Sequence, residues 1–192
     1  MHQQNDPDSK IVAGLERISE AFRVLLWEHA KSTGLSPIQI QILIFIKYHE
    51  QKLCNVSHLA QEFNMTKATI SDAIKVLHRK ELIEKHPSVE DRRAYTIALT
   101  EEGKKIITQA EQFAQPIRAA LDTIDANEKA SFLKNLSQLI FQLNRSDILQ
   151  IQRTCYLCRF YKKNQEGHFC QYLQKALSDQ ELRLDCPEFE GK

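Results

Sequence analysis

Between Val56 and Leu99 the hydrophobic period changes from that of helices to that of strands, and this change constrains the chain more than any other feature. Val56 to Phe63 reads as a short helix burying Leu59, Ala60 and Phe63; a turn follows at Asn64-Met65, and Thr66 caps a second helix from Lys67 to Lys80. In that second helix Ile70, Ala73, Ile74 and Leu77 form one face and leave Lys67, Ala68, Thr69, Ser71, Asp72, Lys75 and Arg79 on the others. Leu82 to His86 and Tyr95 to Leu99 are then short, β-prone segments around the polar stretch Pro87 to Ala94, which predicts a hairpin with an exposed tip. Two helices joined by a short turn, the second presenting small polar and basic residues, form a helix-turn-helix, and the hairpin after it reads as a wing.

Longer helical patterns flank this region. Ile11, Leu15, Ile18, Phe22, Leu25 and His29 recur at spacings of three and four, predicting a helix from Ser9 to about Lys31 that ends near Gly34. Ser36, Pro37 and Gln39 combine an N-cap, a first-turn proline and a capping-box partner, opening a helix that turns Ile38, Ile42, Leu43 and Ile46 inward and runs to about His49. Leu53 to Asn55 reads as a minimal strand. Thr100 caps a long helix carrying Ile106, Ile107, Ala110, Phe113, Ala114 and Ile117, which Pro116 should bend or interrupt. Asp125 and Glu128 begin a further helix striped by Phe132, Leu136, Leu139, Ile140 and Leu143. With only five glycines and five prolines, the expected fold class is mainly α.

Charge narrows the function classes. The 192 residues carry a net charge of only +1, so a nucleic-acid surface has to come from local clustering. From Lys67 to Arg93 seven basic residues face five acidic ones, a mild excess on side chains that can share one surface. Lys67, Thr69, Ser71, Asp72 and Lys75 are the candidates for base edges in a major groove, whereas Thr66, the backbone at the helix start and Arg79 suit phosphates. Arg92 or Arg93, at the wing tip, suits a narrow minor groove. The opening Met1 to Lys10 is polar and no apolar run approaches the roughly 20 residues of a membrane span, so a cytoplasmic protein without a membrane partner is expected.

The order of these elements resembles the MarR family of bacterial transcriptional regulators over about Ser9 to Leu143. Its specific part is Asp91-Arg92-Arg93-Ala94-Tyr95-Thr96-Ile97-Ala98-Leu99-Thr100, similar to the family's wing signature, together with Met65-Thr66-Lys67-Ala68-Thr69-Ile70-Ser71 at the start of the recognition helix. The resemblance implies a homodimer held by the first and last long helices, double-stranded DNA as partner, and no enzymatic activity. A two-fold dimer sets its recognition helices about one DNA turn apart, so the operator should be an inverted repeat. Glu81 departs from the pattern, standing where such proteins often carry a glycine that closes the recognition helix.

After Leu143 the sequence changes character. Cys155 and Cys158 form a Cys-x-x-Cys pair, Cys170 follows after eleven residues, and Cys186 after fifteen more, directly before Pro187. Paired and single thiolates of this kind complete a four-sulfur metal site, and zinc and an iron–sulfur cluster both remain open. A cytosolic setting argues against two disulfides. Phe160, Tyr161, Phe169, Tyr172, Leu173, Leu177 and Leu182 supply a mini-core too small to stand without a staple, and Ser178 with Glu181 forms a capping box. His168 reads as a surface or supporting histidine, with a ligand role as the sharper alternative. Cys54 reads as a buried core thiol, with a redox-sensor role as its sharper alternative.

The expected organisation is a winged helix-turn-helix domain over 9–144, with DNA binding in about 36–100 and dimerisation helices at 9–31 and 101–143, followed by a cysteine-rich metal-binding tail over 145–192. The expected function is a sequence-specific transcriptional regulator gated by a small-molecule effector or by the metal centre. The competing readings are a thiol redox protein using Cys155 and Cys158, and a zinc-stabilised module that docks another protein.

Overall fold

Helix starts and stops follow local capping chemistry throughout. The computed structural model describes residues 6–87, 95–151, 153–164 and 167–192. Helix α1 spans Pro7–Thr33: Asp6 accepts from the Ser9 backbone N–H, Pro7 occupies the first turn, and Gly34, at φ 63°, closes the far end. The sequence reading placed the start at Ser9, whose backbone instead receives the cap. Helix α2 (Pro37–Tyr48) has Gln39 bonded back to the Ser36 N–H.

A 3-10 turn, Gln51–Leu53, stands where a minimal strand was expected, because the Cys54 N–H bonds to the Gln51 carbonyl and no strand partner lies alongside among the described residues. Helices α3 (Val56–Glu62) and α4 (Lys67–Arg79) follow, then the antiparallel strands β1 (Ile83–Pro87) and β2 (Tyr95–Leu99), in register from Ile83 opposite Leu99 to Pro87 opposite Tyr95. Helix α5 (Glu101–Ala110) gives way to a 3-10 turn at Glu111–Ala114 just before Pro116, and α6 (Gln115–Leu121) resumes, so the proline interrupts the helix as expected. Helix α7 (Ala126–Arg145) starts on Asp125, which accepts from the Asn127 and Glu128 N–H groups. The tail adds a three-stranded antiparallel sheet in chain order, β3 (Tyr161–Asn164), β4 (Gly167–Cys170) and β5 (Lys175–Leu177).

The chain forms two compact units. One comprises Met1–Lys47 with Asp72–Ala119, the other Tyr48–Ser71 with Ala120–Lys192. In the first, Ile40, Ile42, Leu43, Ile74, Leu77, Ile97 and Ile107 are fully buried, each worth about 2 kcal/mol of removed apolar surface. Phe22 of α1 meets Phe113 edge-on, and Lys80 Nζ donates to the Gly34 carbonyl at 2.9 Å. Gly103 lies against the Leu82 carbonyl so closely that a Cβ there would sit 2.0 Å from the oxygen. Ile11, Leu15, Ile18 and Phe22, one stripe along α1, stay exposed.

In the second unit Cys54, Leu59 and Ile70 are buried, as are Arg153 and Thr154. The tail rests on α7 through Phe141 against Tyr156, with ring centroids 5.7 Å apart, and through Lys134 paired with Asp179 at 3.1 Å. Among the described residues no helix is long and apolar enough to cross a membrane.

Candidate nucleic-acid interface and cysteine site

Helix α4 begins with Thr66, whose hydroxyl accepts from the Thr69 N–H at 3.1 Å and shares a hydrogen bond with the Thr69 hydroxyl at 2.9 Å. Ile70, Ala73, Ile74 and Leu77 are buried. Thr66, Lys67, Thr69, Asp72, Lys75 and Arg79 are exposed and Ser71 is half-buried, so the helix presents the polar surface expected of it. Lys75 Nζ lies 2.9 Å from Asp72 Oδ1, and this hydrogen bond and charge hold the ammonium above its usual range. An exposed pair of this kind contributes little to stability and is free to re-pair with a phosphate or a base. Arg92 and Arg93 lie outside the described residues.

Two features near α4 escaped the sequence reading. Glu81, the residue that replaces a closing glycine, adopts φ 58°, the left-handed conformation that a glycine would take there. Its carbonyl accepts from the Thr100 hydroxyl at 2.7 Å, which ties the helix end to the cap of α5. At the base of the hairpin the Lys85 ammonium sits 4.6 Å from the centre of the Tyr95 ring, a cation over an aromatic face.

In the tail the four predicted cysteines come from three kinds of backbone. Cys155 and Cys158 flank a 3-10 turn, Cys155–Leu157, with the Cys158 N–H bonded to the Cys155 carbonyl. Cys170 ends β4, and Cys186 lies on an extended segment whose N–H bonds to the Arg153 carbonyl at 3.0 Å. All four thiols are free and line one cavity of about 30 Å³, together with Phe160, Tyr161, Tyr172 and Leu177. Arg183 reaches two of the sulfurs: its backbone N–H donates to Cys155 Sγ at 3.3 Å and its Nη1 to Cys186 Sγ at 3.6 Å. The Cys186 thiol in turn donates to Glu188 at 3.3 Å.

Burial pushes the Cys155 and Cys186 thiols above their ordinary range, the reverse of what an activated redox thiol needs. Among the described residues no group of three or more His, Cys, Asp or Glu side chains is placed to hold a single metal ion.

His168 does not line the cavity. The Tyr161 O–H donates to its Nδ1 at 2.6 Å and its Nε2–H donates to Asp179 at 2.9 Å, so both ring nitrogens are engaged within the tail. Cys54 is buried, with its thiol directed to the Glu50 carbonyl, and burial raises it to about 11, which makes it an inert core thiol at neutral pH.

The residues next to two of the cysteines build a polar clamp that sequence reasoning missed. Arg153, 7% exposed, donates from Nη1 and Nη2 to the two carboxylate oxygens of Glu62 at 2.9 and 3.1 Å, and from Nε to Asp185 at 2.5 Å. His49 Nε2 lies 2.8 Å from Asp185 and 3.2 Å from Arg153 Nη2, and His58 Nε2 lies 3.5 Å from Arg153 Nη1. Burial alone would raise the Asp185 carboxyl, but hydrogen bonds from His49 and Arg153 and the guanidinium charge hold it down at about 2. The clamp joins the segment that carries Cys155 and Cys186 to α3.

Comparison with known proteins agrees with this geometry. Residues 33–94 match the model of the MarR family. The HTH-type transcriptional repressor YetL of Bacillus subtilis (strain 168) is 29% identical over 131 residues, 66% of this chain and 77% of the repressor. In fold, the S. aureus MepR–DNA complex aligns over 69% of this chain and 97% of MepR, with a TM-score of 0.60 at 20% identity. The transcriptional regulator PA3341 aligns over 70% of this chain and 98% of that protein, with a TM-score of 0.60 at 26% identity.

Proposed function

Taking the chain as a transcriptional regulator of the MarR family, the family that its residues 33–94 match, we propose that it binds an inverted-repeat operator as a homodimer and that its tail gates this binding. The observation that carries the reading is the surface of α4, where Lys67, Thr69, Asp72, Lys75 and Arg79 stand exposed above a buried apolar face. Short donors and acceptors at the helix start suit base edges, and the cations suit phosphates. Arg92 and Arg93 then reach the flanking minor groove.

The exposed stripe Ile11, Leu15, Ile18 and Phe22 supports the homodimer, because an apolar row along a long helix calls for a covering partner. The gate rests on the clamp: the tail grips the C-terminal residue of α3 through Arg153, immediately before the turn that leads into α4. A change in the tail that shifts Arg153 or Asp185 alters the support of α3, and a small-molecule effector acting on the long helices is an additional input.

The test is selection of the full-length chain on randomised duplex DNA, followed by anisotropy titration. An enriched inverted repeat with half-site centres about 10 base pairs apart, bound by two chains, is expected. Enrichment of no sequence, or equal affinity for one half-site and for the repeat, would sink the reading.

A further inference from the structure

We propose that the tail holds a four-iron, four-sulfide cluster through Cys155, Cys158, Cys170 and Cys186, as the occupant of the gate just described. The decisive observation is space. In a closed tetrahedral zinc site all four sulfurs touch the ion at about 2.3 Å, which leaves no room between them for even one water. Here the four cysteines all line one cavity of about 30 Å³. A pocket for one water needs roughly 10–15 Å³, so the space beside the four thiols exceeds what a single ion fills.

The surroundings fit that object. Phe160, Tyr161, Tyr172 and Leu177 give the cavity an aromatic and aliphatic wall, beside the charged Glu181, Arg183 and Glu188. Arg183 directs one backbone and one guanidinium N–H at the sulfurs of Cys155 and Cys186, the kind of donor that steadies cluster thiolates, and its charge offsets part of theirs. Glu188, which accepts from the Cys186 thiol, also pairs with Arg183 at 2.5 Å and keeps that partner when the thiol proton leaves.

Loading proceeds by ligand exchange without a change of oxidation state. A soluble cluster carrying four small thiolates meets the four cysteine thiols. Each cysteine sulfur forms a bond to one iron as a small thiolate leaves, and the cysteine proton goes to that thiolate, releasing four small thiols.

The experiment exposes the full-length chain, without oxygen, to a synthetic cluster of this type and then removes small molecules. Iron, sulfide and zinc are measured per chain, and DNA binding is followed separately on the same samples. About four irons and four sulfides in the wild type and in Cys54→Ser, with at least a tenfold loss of bound iron in Cys170→Ser and Cys186→Ser, is the expected result. About one tightly held zinc that excludes iron overturns the proposal in the wild type alone, whether or not the serine variants fold. Undiminished iron in those variants overturns it as well. Cluster uptake by a chain that selects no DNA would leave the cluster standing and remove the regulatory reading; operator binding by a chain that takes no cluster would do the opposite.

Discussion

Arg153 and Glu62, 91 residues apart in the sequence, meet through two parallel hydrogen bonds in a half-buried pocket that Asp185, His49 and His58 complete. Removing one partner of a buried, bidentate pair strands the other. Arg153→Ala should therefore destabilise the fold by about 3 kcal/mol, with Glu62→Gln costing less. In a double-mutant cycle followed by urea unfolding, the two changes should couple by at least about 1 kcal/mol. Additive single effects would mean that the pair is a bystander.

The same pocket makes stability depend on pH. Burial pushes the His58 imidazole below its usual range, Glu62 works against this, and Arg153 and His49 reinforce it. The unfolded chain takes up the proton near pH 6.5 while the folded chain resists it, so this contribution is complete above about 6.5 and is lost as pH falls toward the folded value. The urea midpoint should drop between about pH 7 and pH 5, and His58→Gln should flatten that slope. A slope unchanged in the variant assigns the proton elsewhere.

Thr154 is buried and its hydroxyl has no hydrogen-bond partner among the described residues. Thr154→Val keeps the shape and removes an unpaired polar group, and should raise stability by about 1 kcal/mol. Thermal unfolding checks this, and a destabilised variant would reveal a partner for the hydroxyl.

At the end of α4, Glu81→Gly should relieve the cost of a left-handed non-glycine residue, roughly 1 kcal/mol before the added freedom of the unfolded chain is subtracted. Gly103→Ala should do the reverse and cost several kcal/mol, because its Cβ would collide with the Leu82 carbonyl and not with a movable side chain. Calorimetry of the two variants beside the wild type reads both signs.

For DNA, Arg92→Ala should weaken operator binding at least tenfold while leaving the circular dichroism spectrum unchanged. Lys75→Ala should lower affinity and reduce the salt slope by about 1 if it neutralises a phosphate. Binding by Arg92→Ala equal to wild type at physiological salt would remove that residue from the interface.

Much of this architecture was legible because its cues are local. Thr66, Thr100 and Asp125 each cap the helix that the sequence predicts, Pro116 interrupts its helix, and the strands Ile83–Pro87 and Tyr95–Leu99 fall within a residue of their expected bounds. Asp6 shows a cue present but misread: its carboxylate and Pro7 outrank Ser9 as a start signal. The clamp was not legible, since one arginine after α7 has no periodicity and its partners lie near 49, 62 and 185. The strands of the tail were equally hidden, because runs of three or four residues are too short for alternation to register. The spacing of the four cysteines predicts a shared metal site; the structure shows them lining one cavity, whose size the spacing does not give.

The clamp also sets an order of events while the chain is made. Glu62 leaves the ribosome 91 residues ahead of Arg153, and at about 5–20 residues per second that interval is roughly 5–20 s. Throughout it, α3 ends in a carboxylate that still waits for its guanidinium, and Asp185 arrives 32 residues after Arg153. The nascent protein thus completes its helix-turn-helix before the residues that brace α3 arrive, so a ribosome that stalls within the tail leaves α3 without its guanidinium.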